Sequence, residues 1–146
     1  MPFGTATRLG YRLDEVTGSV KPKILFIDDD PLMHQLYQPY IERCGYEMVG
    51  AMDGSEAFEL VSREQPKVVI MDLMMPGIDG VTAILEIKKA EATKRIPVIA
   101  ISANPQYYCS RQQLAGVGVE LFLSKPFSPA KLFSEIRRLD QGAHPD

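Results

Sequence analysis

Residues 68–80 read VVIMDLMMPGIDG, and residues 23–31 read KILFIDDDP. In both stretches a run of apolar residues stops at acids: Asp72 ends the first run, and the series Asp28 to Asp30 ends the second. Apolar runs without alternating polar residues predict strands that are buried on both faces, which is typical of a parallel sheet covered by helices. These two stretches therefore predict an α/β fold with carboxylates where its strands end.

Short apolar runs and amphipathic stretches alternate five times along the chain. The predicted strands cover residues 24–27, 48–51, 68–71, 98–101 and 120–123. Between them, apolar residues recur every three or four positions, as they do in helices that pack one side against a core. This (βα)₅ order predicts a doubly wound, five-stranded parallel sheet with right-handed crossover connections.

Capping residues mark the expected helix starts. Three of them are followed by proline, which is well tolerated at the first helical position: Asp30-Pro31, Asn104-Pro105 and Ser128-Pro129. Asp53 and Glu56 resemble a capping box, and Asp79 before Gly80 predicts another cap. A further helix is expected over about residues 107–115. The first helix has two neighbouring apolar rows, expected to form one stripe: Leu32, Leu36 and Tyr40, with Met33, Tyr37 and Ile41.

Length and composition indicate one globular domain. The chain has 146 residues, of which 45% are hydrophobic and 24% charged. We expect an N-terminal extension or linker over residues 1–20, a domain over 21–140 and a tail over 141–146. The net charge of −3 argues against a broad electrostatic grip on nucleic acid or anionic lipid. No apolar run is long enough to span a membrane, and two cysteines make no disulfide framework, so we expect a cytoplasmic protein.

Polar residues at the strand ends predict the chemistry, because the carboxyl ends of parallel strands meet at one edge. Asp28, Asp29 and Asp30 follow the first strand and Asp72 follows the third, with Ser102 after the fourth and Lys125 after the fifth, so these side chains are expected to meet. Crowded carboxylates repel one another unless cations lie among them. Oxygen ligands without His or Cys favour Mg²⁺ or Mn²⁺. A carboxylate beside a metal and a lysine is a reasonable nucleophile toward a phosphoryl group.

Four segments together resemble the signature segments of the bacterial response-regulator receiver domain of two-component signalling, including its chemotaxis-regulator-like members. They are KILFIDDDP, VVIMDLMMPGIDG, VIAISAN and LFLSKPF, in the right order and spacing from about residue 21 to residue 140. The resemblance implies the flavodoxin-like strand order 2-1-3-4-5. It also implies a signalling domain rather than an enzyme. Its partners would be a sensor histidine kinase or histidine phosphotransfer protein, and a downstream effector protein or domain.

The same resemblance assigns roles to individual residues. Asp72 would be the phosphoacceptor, and the metal would be held by Asp28, Asp29, Asp72 and the backbone carbonyl of Met74. Lys125 would pair with Asp72, and the Lys125-Pro126 bond would be cis. Ser102 and Phe122 would be the switch residues, although Thr and Tyr are more frequent at these two positions.

Three other functions use a related fold or chemistry. A haloacid-dehalogenase-like phosphatase also uses an Asp nucleophile with Mg²⁺, but needs a second Asp two residues on, where Met74 stands. A flavodoxin-like electron carrier needs a Ser/Thr-rich phosphate loop after the first strand, where this chain has three acids. A pseudo-receiver that only docks to partners is disfavoured by the complete set of Asp28, Asp29, Asp72, Ser102 and Lys125.

Several conspicuous residues receive ordinary structural interpretations. Asp30 and Asp79 are expected to cap helices. His34 and His144 are not expected to donate phosphate, so the donor is another protein. Cys44 and Cys109 are expected to be packing or surface residues, and Tyr107-Tyr108 part of a partner surface.

Overall fold

Five parallel strands form the central sheet in the computed structural model, which describes residues 12–13, 20–75, 79–103 and 111–142. The strands are β3 (Lys23–Ile27), β4 (Glu47–Ala51), β5 (Val68–Asp72), β6 (Val98–Ser102) and β7 (Leu121–Ser124). Their order is β4-β3-β5-β6-β7. This confirms the α/β class and the predicted order 2-1-3-4-5, since each predicted strand occupies its expected place.

Two short strands precede the sheet. Strand β1 (Arg12–Leu13) pairs antiparallel with β2 (Val20–Lys21), with Arg12 opposite Lys21. Regular structure therefore begins before Lys21, inside the segment for which the sequence predicted an extension or linker. The domain boundaries near residues 20 and 140 stay predictions.

Five α-helices lie among the described residues: α1 (Pro31–Arg43), α2 (Ala57–Glu64), α3 (Gly80–Lys89), α4 (Arg111–Gly116) and α5 (Pro129–Asp140). Three predicted caps are confirmed. The side chains of Asp30, Asp79 and Ser128 accept hydrogen bonds from the backbone N–H groups of Leu32, Val81 and Lys131. Asp53 caps a 3-10 turn (Gly54–Glu56) through the N–H of Ser55, so the predicted capping box takes this tighter form before α2.

The core has two layers, one on each face of the sheet. Apolar side chains of α2, α3 and α4 cover one face, and those of α1 and α5 cover the other. Every residue of β3, β5 and β6 is buried, as the uninterrupted apolar runs predicted. The edge strands β4 and β7 are only partly buried, which corrects the expectation of burial on both faces. An edge strand lacks a neighbour on one side, so the helices shield it less completely.

Helix α1 corrects the expectation of a single apolar stripe. Tyr37 and Ile41 are buried, whereas Leu32, Leu36 and Tyr40 are 68%, 48% and 44% exposed. Neighbouring positions of a helix differ by about 100° around its axis, so only one of the two rows can face the sheet. The second row is an apolar surface that begins directly after the acidic loop.

Helix α4 is described from Arg111, and the beginning of the helix predicted over about residues 107–115 lies outside the described residues. Several sequence interpretations fall outside the described residues: the Asn104-Pro105 cap, Tyr107-Tyr108, Cys109 and His144. Cys44, at the end of α1, is exposed and not in a disulfide. No helix in the described ranges has the length and hydropathy needed to cross a bilayer.

Candidate functional site

Three carboxylates converge where β3 and β5 end. The two strands are hydrogen-bonded neighbours with Ile27 opposite Met71, so Asp28 and Asp72 follow at the same level of the sheet. Ligand oxygens of Asp28, Asp29 and Asp72 all lie within 4.8 Å of one another. Asp28 and Asp72 are buried, whereas Asp29 is exposed. The sequence prediction of an acidic pocket at this edge therefore matches the geometry.

Both the carboxylate and the backbone of Asp28 are hydrogen-bonded. One carboxylate oxygen accepts a hydrogen bond from the backbone N–H of Asp30 at 2.9 Å, and the other accepts one from Nζ of Lys125 at 2.9 Å. The backbone N–H of Asp28 donates to the carbonyl oxygen of Ala51. Its own carbonyl oxygen lies 2.7 Å from Nε2 of His34. Because a carbonyl oxygen only accepts, Nε2 carries the proton in this contact.

Asp72 ends the central strand and receives two hydrogen bonds. The backbone N–H of Met74 donates to Oδ1 at 3.0 Å, and Lys125 Nζ donates to Oδ2 at 3.2 Å. Burial raises the pKa of Asp72 above its ordinary value, and the nearby charge of Asp28 raises it further, against the lowering effects of the Met74 N–H and of Lys125. Gly80 passes so close that a Cβ there would lie 2.7 Å from the Asp72 carbonyl oxygen.

Lys125 brings the only ammonium group that the described residues place against these carboxylates. Burial alone would lower the pKa of Lys125, but the hydrogen bond to Asp28 and the charges of Asp28 and Asp72 raise it above the ordinary value. Its backbone N–H donates to the carbonyl oxygen of Ser102 at 2.8 Å. The Lys125-Pro126 peptide bond is cis, as expected. One ammonium faces three carboxylates, so the pocket keeps an excess of negative charge.

The two expected switch residues lie on the neighbouring strands. Ser102 is fully buried at the end of β6, next to β5, and pairs in register with Ser124 of β7. Phe122, two residues before Ser124, is half-buried against the core. It also borders a cavity of about 190 Å³ between α4 and β7, lined as well by Leu114, Ala115, Val119, Glu120 and Leu121.

Two aromatic residues of α1 contact the site, and the sequence interpretation gave neither of them a role in it. His34 binds the backbone of Asp28, and the hydroxyl of Tyr37 donates to the carbonyl oxygen of Phe127 at 2.7 Å. The sequence does show two polar aromatic residues three positions apart on a helix, and this spacing places them on one face of the helix. It does not reveal that this face meets the loop after β7.

The donor set fits a hard divalent cation. Asp28, Asp29 and Asp72 supply only oxygen ligands, and Asp29 leaves the pocket open to solvent. Mg²⁺ prefers oxygen ligands and commonly uses one or two carboxylates while it keeps several waters. A cation here would also relieve the repulsion that one lysine leaves uncompensated.

Comparison with known proteins agrees with this fold. A sequence model of the response regulator receiver domain matches residues 24–137. The DNA-binding dual master transcriptional regulator RpaA of Synechocystis sp. is 34% identical over 118 residues, which cover 81% of this chain and 48% of that protein. The chain thus spans about half the length of this relative.

Solved structures show the same fold. The receiver domain of the Francisella response regulator 1452 is 30% identical, with a TM-score of 0.73, and the match covers 84% of this chain and 98% of that one. The receiver domain of sensor histidine kinase PA1611 from Pseudomonas aeruginosa is 28% identical, with a TM-score of 0.74 and coverages of 83% and 98%. That structure has a magnesium ion coordinated in its active-site cleft.

Proposed function

This chain belongs to the response-regulator receiver family, and we propose that it accepts one phosphoryl group on Asp72 and passes the signal on by a change of conformation. The observation that supports this proposal most directly is the shared lysine. Lys125 Nζ lies 2.9 Å from Asp28 Oδ2 and 3.2 Å from Asp72 Oδ2. One ammonium group therefore bridges Asp28, a proposed metal ligand, and Asp72, the proposed phosphoacceptor.

The arrangement favours Asp72 as the acceptor among the three acids. Asp28 is as buried and as fully hydrogen-bonded as Asp72, but it follows β3, which does not neighbour the strand that carries Ser102. Asp29 is exposed, and the side chain of Lys125 donates to the other two acids, Asp28 and Asp72. Asp72 lies between the Asp28–Asp29 pair and Ser102, at the end of the central strand, so a phosphoryl group there would have carboxylates on one side and a hydroxyl on the other.

The reaction we propose is a displacement at phosphorus. A carboxylate oxygen of Asp72 attacks the phosphorus of a phosphohistidine, the P–N bond breaks, and the imidazole leaves with the bonding electron pair. The product is an acyl phosphate, whose added negative charge the ammonium of Lys125 neutralises. Hydrolysis later returns the carboxylate and inorganic phosphate, so the chain is a phosphoacceptor rather than an enzyme that acts on a separate substrate.

Mg²⁺, or Mn²⁺ in its place, is the cofactor that we propose for this reaction. Asp28, Asp29 and Asp72 would hold it, together with the backbone carbonyl oxygen of Met74. When bound, it supplies positive charge that stabilises the phosphoryl oxygens.

The proposed output begins at Ser102. Its hydroxyl would hydrogen-bond a phosphoryl oxygen on Asp72, and its backbone carbonyl already holds Lys125. A movement of Ser102 would change the packing beside Phe122, which lies on the next strand. We therefore propose that a downstream effector protein reads the face formed by α4, β7 and α5, and gains affinity for the phosphorylated form.

The proposed input is a sensor histidine kinase or a histidine phosphotransfer protein, and the proposed location is the cytoplasm. RpaA is named as a DNA-binding protein, and this chain matches about half of its length. The net charge of −3 supports output through a protein partner rather than direct contact with DNA. Retardation of duplex DNA by the phosphorylated chain would contradict that part of the proposal.

The test is phosphorylation by acetyl phosphate with Mg²⁺, followed by intact mass. The parent is expected to gain one phosphoryl group, and Asp72→Asn none. Asp79→Asn is the matched control: it removes an Asp seven residues further on, and asparagine also caps helices well.

Labelling of Asp72→Asn to the level of the parent would refute the acceptor assignment. A parent that never labels, with acetyl phosphate or with phosphorylated kinases, would favour the pseudo-receiver. Continuous release of phosphate from unrelated phosphoesters would favour the phosphatase.

A further inference from the structure

Tyr37 connects helix α1 to the loop that follows β7. Its side chain is 2% exposed, and its hydroxyl donates to the carbonyl oxygen of Phe127 at 2.7 Å. The rings of Tyr37 and Phe127 are stacked, with centroids 5.0 Å apart and planes 15° apart. Tyr37 also stacks on Phe26 of β3, with ring centroids 5.7 Å apart. Tyr37 is thus fixed between the central sheet and this loop.

Phe127 is only two residues after Lys125. The backbone of Lys125 is already attached on the other side, because its N–H donates to Ser102. The segment 125–127 is therefore held at its start by β6 and at its end by Tyr37. Between these two attachments, the side chain of Lys125 reaches Asp28 and Asp72.

The surroundings of the Tyr37 hydroxyl support its role as a donor. Burial raises the pKa of Tyr37 above its ordinary value, with Lys125 lowering it and Asp28 raising it. The phenol therefore keeps its proton at neutral pH and can donate to the Phe127 carbonyl.

We propose that Tyr37 is a positioning residue for Lys125: its hydroxyl fixes the backbone at Phe127, so that the ammonium lies between Asp28 and Asp72. The consequence for phosphoryl transfer rests on the proposed function, whereas the positioning itself does not. Because the backbone on each side of Lys125 is fixed, its ammonium is already in place when negative charge develops on the phosphoryl group. No conformational entropy then has to be lost during the reaction to order the lysine.

Tyr37→Phe is the informative substitution, because it keeps both stacked rings and removes only the hydroxyl. Tyr46→Phe is a matched control. Tyr46 is also buried, its hydroxyl donates to Asp140 at 2.6 Å, and that bond joins α5 to the β4 side of the sheet, away from the acidic pocket. Both variants lose one buried phenol hydrogen bond, so a general loss of stability affects them alike.

The direct readout is the ¹⁵N signal of the Lys125 ammonium in the unphosphorylated 146-residue chain, assigned by its loss in Lys125→Met. Lys88 gives an internal reference: its side chain is also largely buried, and its Nζ donates to Lys94 O, Ile96 O and Glu120 Oε2. In Tyr37→Phe we expect a shift and faster solvent exchange at Lys125 and no change at Lys88. Tyr46→Phe is expected to leave both signals as in the parent.

The functional readout is the phosphorylation rate with acetyl phosphate at saturating Mg²⁺. The loss of one hydrogen bond that positions the lysine should slow Tyr37→Phe about fivefold and leave Tyr46→Phe within about twofold of the parent. Unchanged Lys125 signals in folded Tyr37→Phe, or equal effects in both Tyr→Phe variants, would overturn the positioning role. A parent that does not react at all would instead refute the proposed function, and the ammonium signals would still decide the role of Tyr37.

Discussion

The imidazole of His34 holds the backbone of Asp28, with Nε2 2.7 Å from the carbonyl oxygen. Space for the ring exists because residue 50 of the neighbouring strand β4 is glycine: a Cβ there would lie 2.7 Å from Nδ1 of His34. The rings of His34 and Phe26 also pack edge to face, with centroids 5.2 Å apart. Gly50 thereby influences the position of an acid that belongs to a different strand.

Gly50→Ala should therefore displace His34 and cost about 1 kcal/mol of stability through the lost hydrogen bond. In a His34→Ala background the same change should be neutral or stabilise by about 0.5 kcal/mol, because alanine restricts the unfolded chain. Urea unfolding of the four proteins measures the coupling. Gly116→Ala, which places a Cβ in open space, should be additive with His34→Ala. Additive effects of Gly50→Ala and His34→Ala would show that the glycine does not act through the imidazole.

Magnesium should stabilise the fold through Asp29. At ten times the dissociation constant, binding to the folded state alone adds about 1.4 kcal/mol to the free energy of unfolding. Thermal melts with Mg²⁺ and with EDTA should differ for the parent and for Asp30→Asn, but not for Asp29→Asn. Asp30→Asn is the matched control, because Asp30 is the next residue along the chain. Asp30 caps α1, and asparagine is also a good capping residue. An equal response of Asp29→Asn and the parent would remove Asp29 from the metal site.

Without metal, Asp72 should make stability depend on pH. The pKa of Asp72 is raised in the folded state, chiefly by burial, so the folded protein binds a proton there more readily than the unfolded chain does. As pH falls from about 7 toward about 4.5, the parent should therefore gain stability relative to Asp72→Asn. Urea unfolding in EDTA measures this difference, and carboxylates far from the pocket cancel because both proteins share them. A difference that stays constant or declines over this range would contradict the raised pKa.

Ser102→Ala should separate acceptance of the phosphoryl group from its readout. The acceptor carboxylate and Lys125 remain, so labelling of Asp72 by acetyl phosphate should persist, at a rate within about tenfold of the parent. Amide shift changes in α4, β7 and α5 on phosphorylation should shrink, because the buried hydroxyl beside the acceptor is gone. Ser124→Ala, the exposed register partner of Ser102, should respond like the parent. Full shift changes in Ser102→Ala would mean that the signal takes another route.

The strands, the helix caps and the acidic pocket could be predicted from the sequence, because each depends on short-range order. An apolar run such as Val68–Asp72 indicates a strand that is buried on both faces, and Asp30 or Asp79 indicates a helix start within one turn. Parallel strands with alternating crossovers then bring all their carboxyl ends to one edge. Asp28 and Asp72 meet for that reason, without any detail of packing.

Tertiary structure alone decided which row of α1 is buried and what that row contacts. The sequence shows two apolar rows of similar character, and only docking onto the sheet exposes Leu36 while it buries Tyr37. The contacts of Tyr37 with Phe127 and of Lys125 with Asp28 join residues 90 and 97 positions apart. Such pairs depend on where helices settle on the sheet and on which side chains fill the same space. No local periodicity encodes that fit, because it is a property of the packed core as a whole.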